Sequence, residues 1–83
     1  MRFTVTSAPG VDEILAEIWL AATDRQGLSS AANQIDEFLR QAPLDHGVPI
    51  DNYRFLRINL LTALYHVSVA DCRVEILDYV YHG

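Results

Sequence analysis

The chain is 83 residues long, with six arginines, no lysine and eleven acidic residues, for a formal net charge of −5. That length holds a single domain, residues 1–83, and the acidity excludes a protein that coats nucleic acid non-specifically, because counterion release needs clustered positive charge. A hydrophobic fraction of 51% excludes a disordered tail, and one cysteine excludes an intrachain disulfide.

Residues 3–7 alternate, with Phe3 and Val5 on one face and Thr4 and Thr6 on the other. Period two with β-branched residues predicts a short strand, ended by Ser7-Ala8-Pro9-Gly10. From Val11 the period changes. Val11, Leu15, Ile18 and Ala22 are spaced 4, 3, 4, and Ile14 and Ala21 widen the stripe, which predicts an amphipathic helix of about three turns. Asp12 and Glu13 fall in its first turn, where the helix dipole favours them. Trp19 flanks the stripe, at the edge of the expected core.

Thr23-Asp24-Arg25-Gln26 fits a capping box, with Thr23 as the cap. Leu28, Ala32, Ile35, Leu39 and Ala42 follow, spaced 4, 3, 4, 3, and predict a second helix over 24–42 that Pro43 stops. Gly27 inside that helix costs about 1 kcal/mol relative to Ala, which leaves open a later start with Ser29 or Ser30 as the cap. A short connection between two such helices predicts an antiparallel αα-hairpin. Residues 43–51 carry Pro43, Asp45, Gly47, Pro49 and Asp51 and read as a loop, with His46 inside it.

The remainder reads as three strands, 53–60, 63–69 and 73–81, with period two in Leu56/Ile58, Tyr65/Val67/Val69 and Val74/Ile76. Short links between them predict an antiparallel meander. The order is β-α-α-β-β-β, an α+β domain with the αα-hairpin packed on one face of a mainly antiparallel sheet.

No export signal is visible, since Phe3 to Ser7 is not an apolar core region. The longest stretch free of acids and arginine, Ile58 to Ala70, has 13 residues, short of the roughly 20 needed to span a bilayer. With the lone Cys72 this predicts a cytoplasmic protein that does not enter a membrane.

Few residues carry chemistry. There is no nucleophile elbow, phosphate loop, Cys-x-x-Cys or His-Glu-x-x-His. His46, His66 and His82 show no ligand spacing, so neither metal nor cofactor is expected. Between Asn52 and Ala70 there is no acid, and Arg54 and Arg57 make this segment basic. Arginines on a sheet bind phosphate bidentately, or they pair with surface carboxylates. Three residues apart on a strand, they fall on opposite faces. Tyr81-His82 follows, where the histidine is suited to acid–base work near pH 7. Tyr79, Tyr81 and His82 are also of the type that stacks on splayed RNA bases, unless this end is a frayed tail. Asp12, Glu13, Glu17, Asp36 and Glu37 lie off the apolar stripes and form a solvated face.

The element order, Ile18-Trp19 in the first helix, Ile35-Asp36-Glu37-Phe38-Leu39 before Pro43, the run Tyr53 to Ile58, Leu64-Tyr65-His66-Val67 and Arg73 to Leu77 together resemble the RelE/ParE superfamily of toxin–antitoxin (plasmid stabilisation) toxins. The resemblance spans nearly the whole chain. It implies a type II toxin, either a ribosome-dependent mRNA endoribonuclease of the RelE type or a ParE-like poison of DNA gyrase. It also implies a cognate antitoxin as partner, and leaves a homodimer open. A non-catalytic relative that serves as a binding module is the alternative. Arg57 matches a basic residue of the family's second strand, and Tyr81-His82 resembles the Tyr-His end of YoeB-type members, where the histidine is catalytic. Arg54 and Tyr79 are the residues expected beside them on RNA. Three departures stand out: Thr62 replaces the arginine usual three residues before the signature tyrosine, lysine is absent, and the net charge is −5.

Overall fold

A computed structural model describes residues 2–82. Seven elements follow in chain order: β1 (Thr4–Ser7), α1 (Val11–Ala21), α2 (Arg25–Gln41), β2 (Val48–Ile50), β3 (Tyr53–Ile58), β4 (Leu61–Ser68) and β5 (Arg73–Tyr81). They build one five-stranded sheet in the order β1-β5-β4-β3-β2. Only β1 runs parallel to its neighbour, Thr4 facing Arg73 and Ser7 facing Ile76; the other pairings are antiparallel. The α+β layout and the β3-β4-β5 meander are as the periodicity predicts.

Both helices cover the same face of the sheet. Their stripes, Val11, Ala22, Leu28, Ala31, Ile35 and Leu39, share one core with Leu56, Leu61, Ala63, Tyr65, Val74, Ile76 and Tyr79. Leu56 faces Ala63, and Val67 faces Val74, so the alternating apolar residues of neighbouring strands meet on the helix side. Among the described residues no element covers the opposite face.

Four local features differ from the expectation. The loop over 43–51 contains an extra strand, β2, with Val48 and Ile50 facing Phe55 and Tyr53. It is three residues long, exposed throughout and interrupted by Pro49, a pattern suited only to a sheet edge. Gly47 makes it reachable: its φ is +79°, and a Cβ there would lie 2.6 Å from the Tyr65 hydroxyl and 2.7 Å from the Phe55 carbonyl. The Tyr65 hydroxyl then ties the loop down by donating to the carbonyls of Pro43 and His46, both at 2.9 Å.

The cap of α2 is Asp24, not Thr23. The Asp24 carboxylate accepts from the Gly27 amide at 2.8 Å. A Cβ on residue 27 would collide with that carboxylate, so Gly27 is the residue that admits the cap. The break between β3 and β4 falls at Asn59-Leu60, with Asn59 at φ +55°, and Leu61 is fully buried at the start of β4. Val69 lies beyond β4 and is exposed.

Finally, β5 is not one regular ribbon. Leu64 faces Asp78 but Tyr65 faces Ile76, which leaves Leu77 as an extra residue. The bulge switches the alternation. Val74 and Ile76 point to the helices before it, and Tyr79 does so after it. Without the switch Asp78 would be driven into the core.

At the helix junction Arg25 reaches back to α1. It donates from Nε and Nη2 to the carbonyls of Trp19 and Leu20, both at 3.0 Å, and lies 4.7 Å above the Trp19 ring. α1 has no basic residue in its last turn, so Arg25 supplies from the next helix the donors its free carbonyls lack. No helix of the described residues is long and apolar enough to cross a membrane.

Candidate functional site

The β3–β4 turn and the end of β5 meet at one rim of the sheet. Leu61 faces Tyr81, Thr62 faces Val80, and the His82 amide donates to the Leu60 carbonyl at 2.7 Å. That bond carries the ladder one residue past β5, so His82 is not a frayed tail. On the far strand Arg57 faces Thr62.

Arg57, Thr62 and His82 therefore stand together on the open face. Thr62 Oγ1 lies 2.8 Å from His82 Nε2. Arg57 bends toward the turn and donates from Nε to the Asn59 carbonyl at 2.9 Å. Its side chain is thereby fixed at Nε, and its terminal NH₂ groups make no hydrogen bond or ion pair among the described residues. Such a grouping offers a forked cation for a phosphate and an imidazole held by one ring nitrogen, so that Nδ1 remains for proton transfer.

The other sequence-derived residues lie elsewhere. Tyr81 is the neighbour of His82 but faces the helix side, where it lines a cleft of about 100 Å³ with Asp24, Leu28, Asn59 and Leu60. Tyr79 is 9% exposed and belongs to the core. Burial pushes its phenol up to about 12, with lesser contributions from Asp36 and Asp12. A ring this enclosed has no face left for a base to stack on, which corrects its expected place on RNA. Arg54 faces Tyr65 across β3 and β4, on the helix side, away from Arg57. The two arginines are on opposite faces, as their spacing requires, and form no common patch.

Thr62 is the residue that sequence reasoning missed. In the sequence it stands only as a departure from a family pattern. Its contact with His82 depends on the β4–β5 register, and that register depends on the bulge. No local signal encodes it. The rest of the open face mixes signs, with Arg73 opposite Ser68, Glu75 opposite His66 and Asp78 opposite Leu64. Its β2 side is apolar: Val48, Ile50 and Tyr53 are all exposed, and the Tyr53 and His66 rings meet edge-on at 6.1 Å.

Among the solved structures that share this arrangement of helices and strands are two toxin–antitoxin systems. One is the RelBE2 toxin–antitoxin complex of Mycobacterium tuberculosis, at a TM-score of 0.75 and 20% identity, over 98% of this chain and 99% of the matched chain. The other is the chromosomal ParDE toxin–antitoxin system of P. aeruginosa, at a TM-score of 0.72 and 12% identity, over 99% and 98%. The chain has the RelE/ParE fold. No protein-family model and no curated protein matches it. The likeness thus lies in the RelE/ParE backbone, and sequence identity this low carries the fold but no residue roles.

Proposed function

We propose that this chain is the toxin of a type II toxin–antitoxin system, acting as an mRNA endoribonuclease on the ribosome and silenced by a cognate antitoxin. The observation that carries the reading is the grouping of Arg57, Thr62 and His82 on the open face of a RelE/ParE-fold sheet. In the reaction, a ribose 2′-hydroxyl attacks the adjacent phosphorus and the bond to the 5′-oxygen breaks. The Arg57 NH₂ groups bind the phosphate oxygens as charge builds on them. The His82 Nδ1 exchanges the proton, taking it from the 2′-hydroxyl or giving it to the departing oxygen. Thr62 orients the ring.

The acidity of the chain favours a second reading. A net charge of −5 weakens attraction to ribosomal RNA, while Val48, Ile50, Tyr53 and Val80 expose apolar surface on the same face. That surface suits a protein target, either a ParE-like grip on DNA gyrase or a non-catalytic binding module.

Induced expression in a growing bacterium, with mapping of mRNA 5′ ends, separates the readings. The nuclease predicts growth arrest with new 5′ ends, and relief of both by His82→Ala and by Arg57→Ala. Arrest without new ends, unaffected by His82→Ala, replaces it with the gyrase reading. No arrest leaves the binding module.

A further inference from the structure

Arg54 has no part in the grouping above. It lies on the helix side of β3, half-buried, in a cleft of about 140 Å³ where β2 projects beyond the helices. Leu44, Pro49 and Val67 make the apolar part of the lining, and Asp51 and Asn52 stand among them. The floor is tied to the fold: Arg54 faces Tyr65 on β4, and the Tyr65 hydroxyl is committed to the carbonyls of Pro43 and His46. Among the described residues the Arg54 guanidinium has no hydrogen bond and no ion pair, although Asp51 lines the same cleft. A partly desolvated guanidinium with five unused donors loses solvation without recovering it from a partner, and a carboxylate supplies that partner bidentately.

We propose that this cleft is a docking site for an acidic segment of a protein partner, one in which a Glu or Asp sits beside an apolar residue. The carboxylate meets Arg54, and the apolar neighbour packs on Leu44 and Val67. Two observations favour a peptide over a nucleic acid. The overall charge of −5 repels a long chain of phosphates, whereas one carboxylate needs only one cation. Leu44 and Val67 also give the cleft an apolar wall beside Arg54, which suits an adjoining aliphatic side chain. Leu44 is 46% exposed and open to such a neighbour. This site does not depend on the nuclease reading, which growth arrest decides.

The test is a titration of the ¹⁵N-labelled protein, followed by amide shifts, with the probe Ac-Leu-Glu-Leu-NH₂ at millimolar concentration. Saturable shifts are expected at Leu44, Arg54 and Val67, at least fivefold weaker binding for Ac-Leu-Gln-Leu-NH₂, and loss of binding in Arg54→Gln. Arg54→Lys, which keeps the charge but not the fork, should bind more weakly than wild type. Arg57→Gln, on the opposite face, should bind as wild type does. No saturable shift, equal binding of the Gln peptide, or binding retained in a folded Arg54→Gln overturns the site. Equal shifts of the same amides by inorganic phosphate overturn the peptide assignment. Shifts that grow with protein concentration, without peptide, overturn it in favour of a second copy.

Discussion

Thr62 holds the His82 imidazole through a single hydroxyl, and Thr62→Val removes that hydroxyl while keeping the shape of the side chain. The residue is half-buried on the open face, so the change in stability is expected within about 1 kcal/mol. The ring, however, loses its side-chain partner among the described residues. Its ¹⁵N signals should move toward those of a free histidine, and any RNA cleavage should fall about tenfold or more, because orientation is lost while the acid–base group remains. Unchanged ring signals in Thr62→Val would remove Thr62 from the site. A second residue-scale test concerns Gly27. Helix propensity alone says that Gly27→Ala stabilises by about 1 kcal/mol. Here a methyl group displaces the Asp24 carboxylate from its cap, which costs about the same. Gly27→Ala should therefore bring no gain in urea denaturation, whereas in an Asp24→Ala background it should bring the full amount. A gain in both backgrounds would show that the cap tolerates the methyl.

At the scale of the elements, β5 decides most. Apolar residues mark its two halves as strand, but their parity differs: Val74 and Ile76 are even-numbered, Tyr79 and Tyr81 odd. A reader of the sequence sees alternation on each side, and nothing says which side continues into the core. The bulge at Leu77 settles it, since it places Tyr79 inward and His82 outward. Substitution by lysine reads the face directly. Val80→Lys, at a residue 49% exposed, should change stability by less than about 0.5 kcal/mol. Tyr79→Lys buries an unpaired ammonium and should unfold the domain, as judged by circular dichroism. The reverse ranking would place the bulge elsewhere. The two helices were legible because their stripes span several turns and each needs one buried face. The extra strand β2 was not, because three residues with a central proline resemble a turn until β3 is there to pair with them. The α2 cap was missed by one residue for a similar reason: Thr23 and Asp24 are both good caps, and only the closeness of Gly27 to Asp24 chooses between them. Arg57 and His82 were legible as residue types, but their meeting through Thr62 was a property of register.

For the whole molecule, the alkaline limb of stability follows from two tyrosines in the core. Burial pushes the Tyr79 phenol up to about 12, and burial also raises Tyr65, against an opposing pull from Arg54. In the unfolded chain both ionise near 10. Below pH 10 both states keep these protons, and the stabilisation is fully present. Between pH 10 and about 12 the unfolded chain has released protons that the folded one retains, so unfolding becomes more favourable as pH rises. The growing negative charge of an already acidic chain acts in the same direction. Tyr79→Phe separates the two causes: it keeps the ring in the core and deletes the phenol. Urea midpoints measured from pH 8 to 11.5 should decline steeply for the wild type above pH 10. Those of Tyr79→Phe should decline less, keeping only the slope due to Tyr65 and to general repulsion. Parallel curves for the two proteins would mean that Tyr79 ionises alike in both states, and that it is not the enclosed core residue described here.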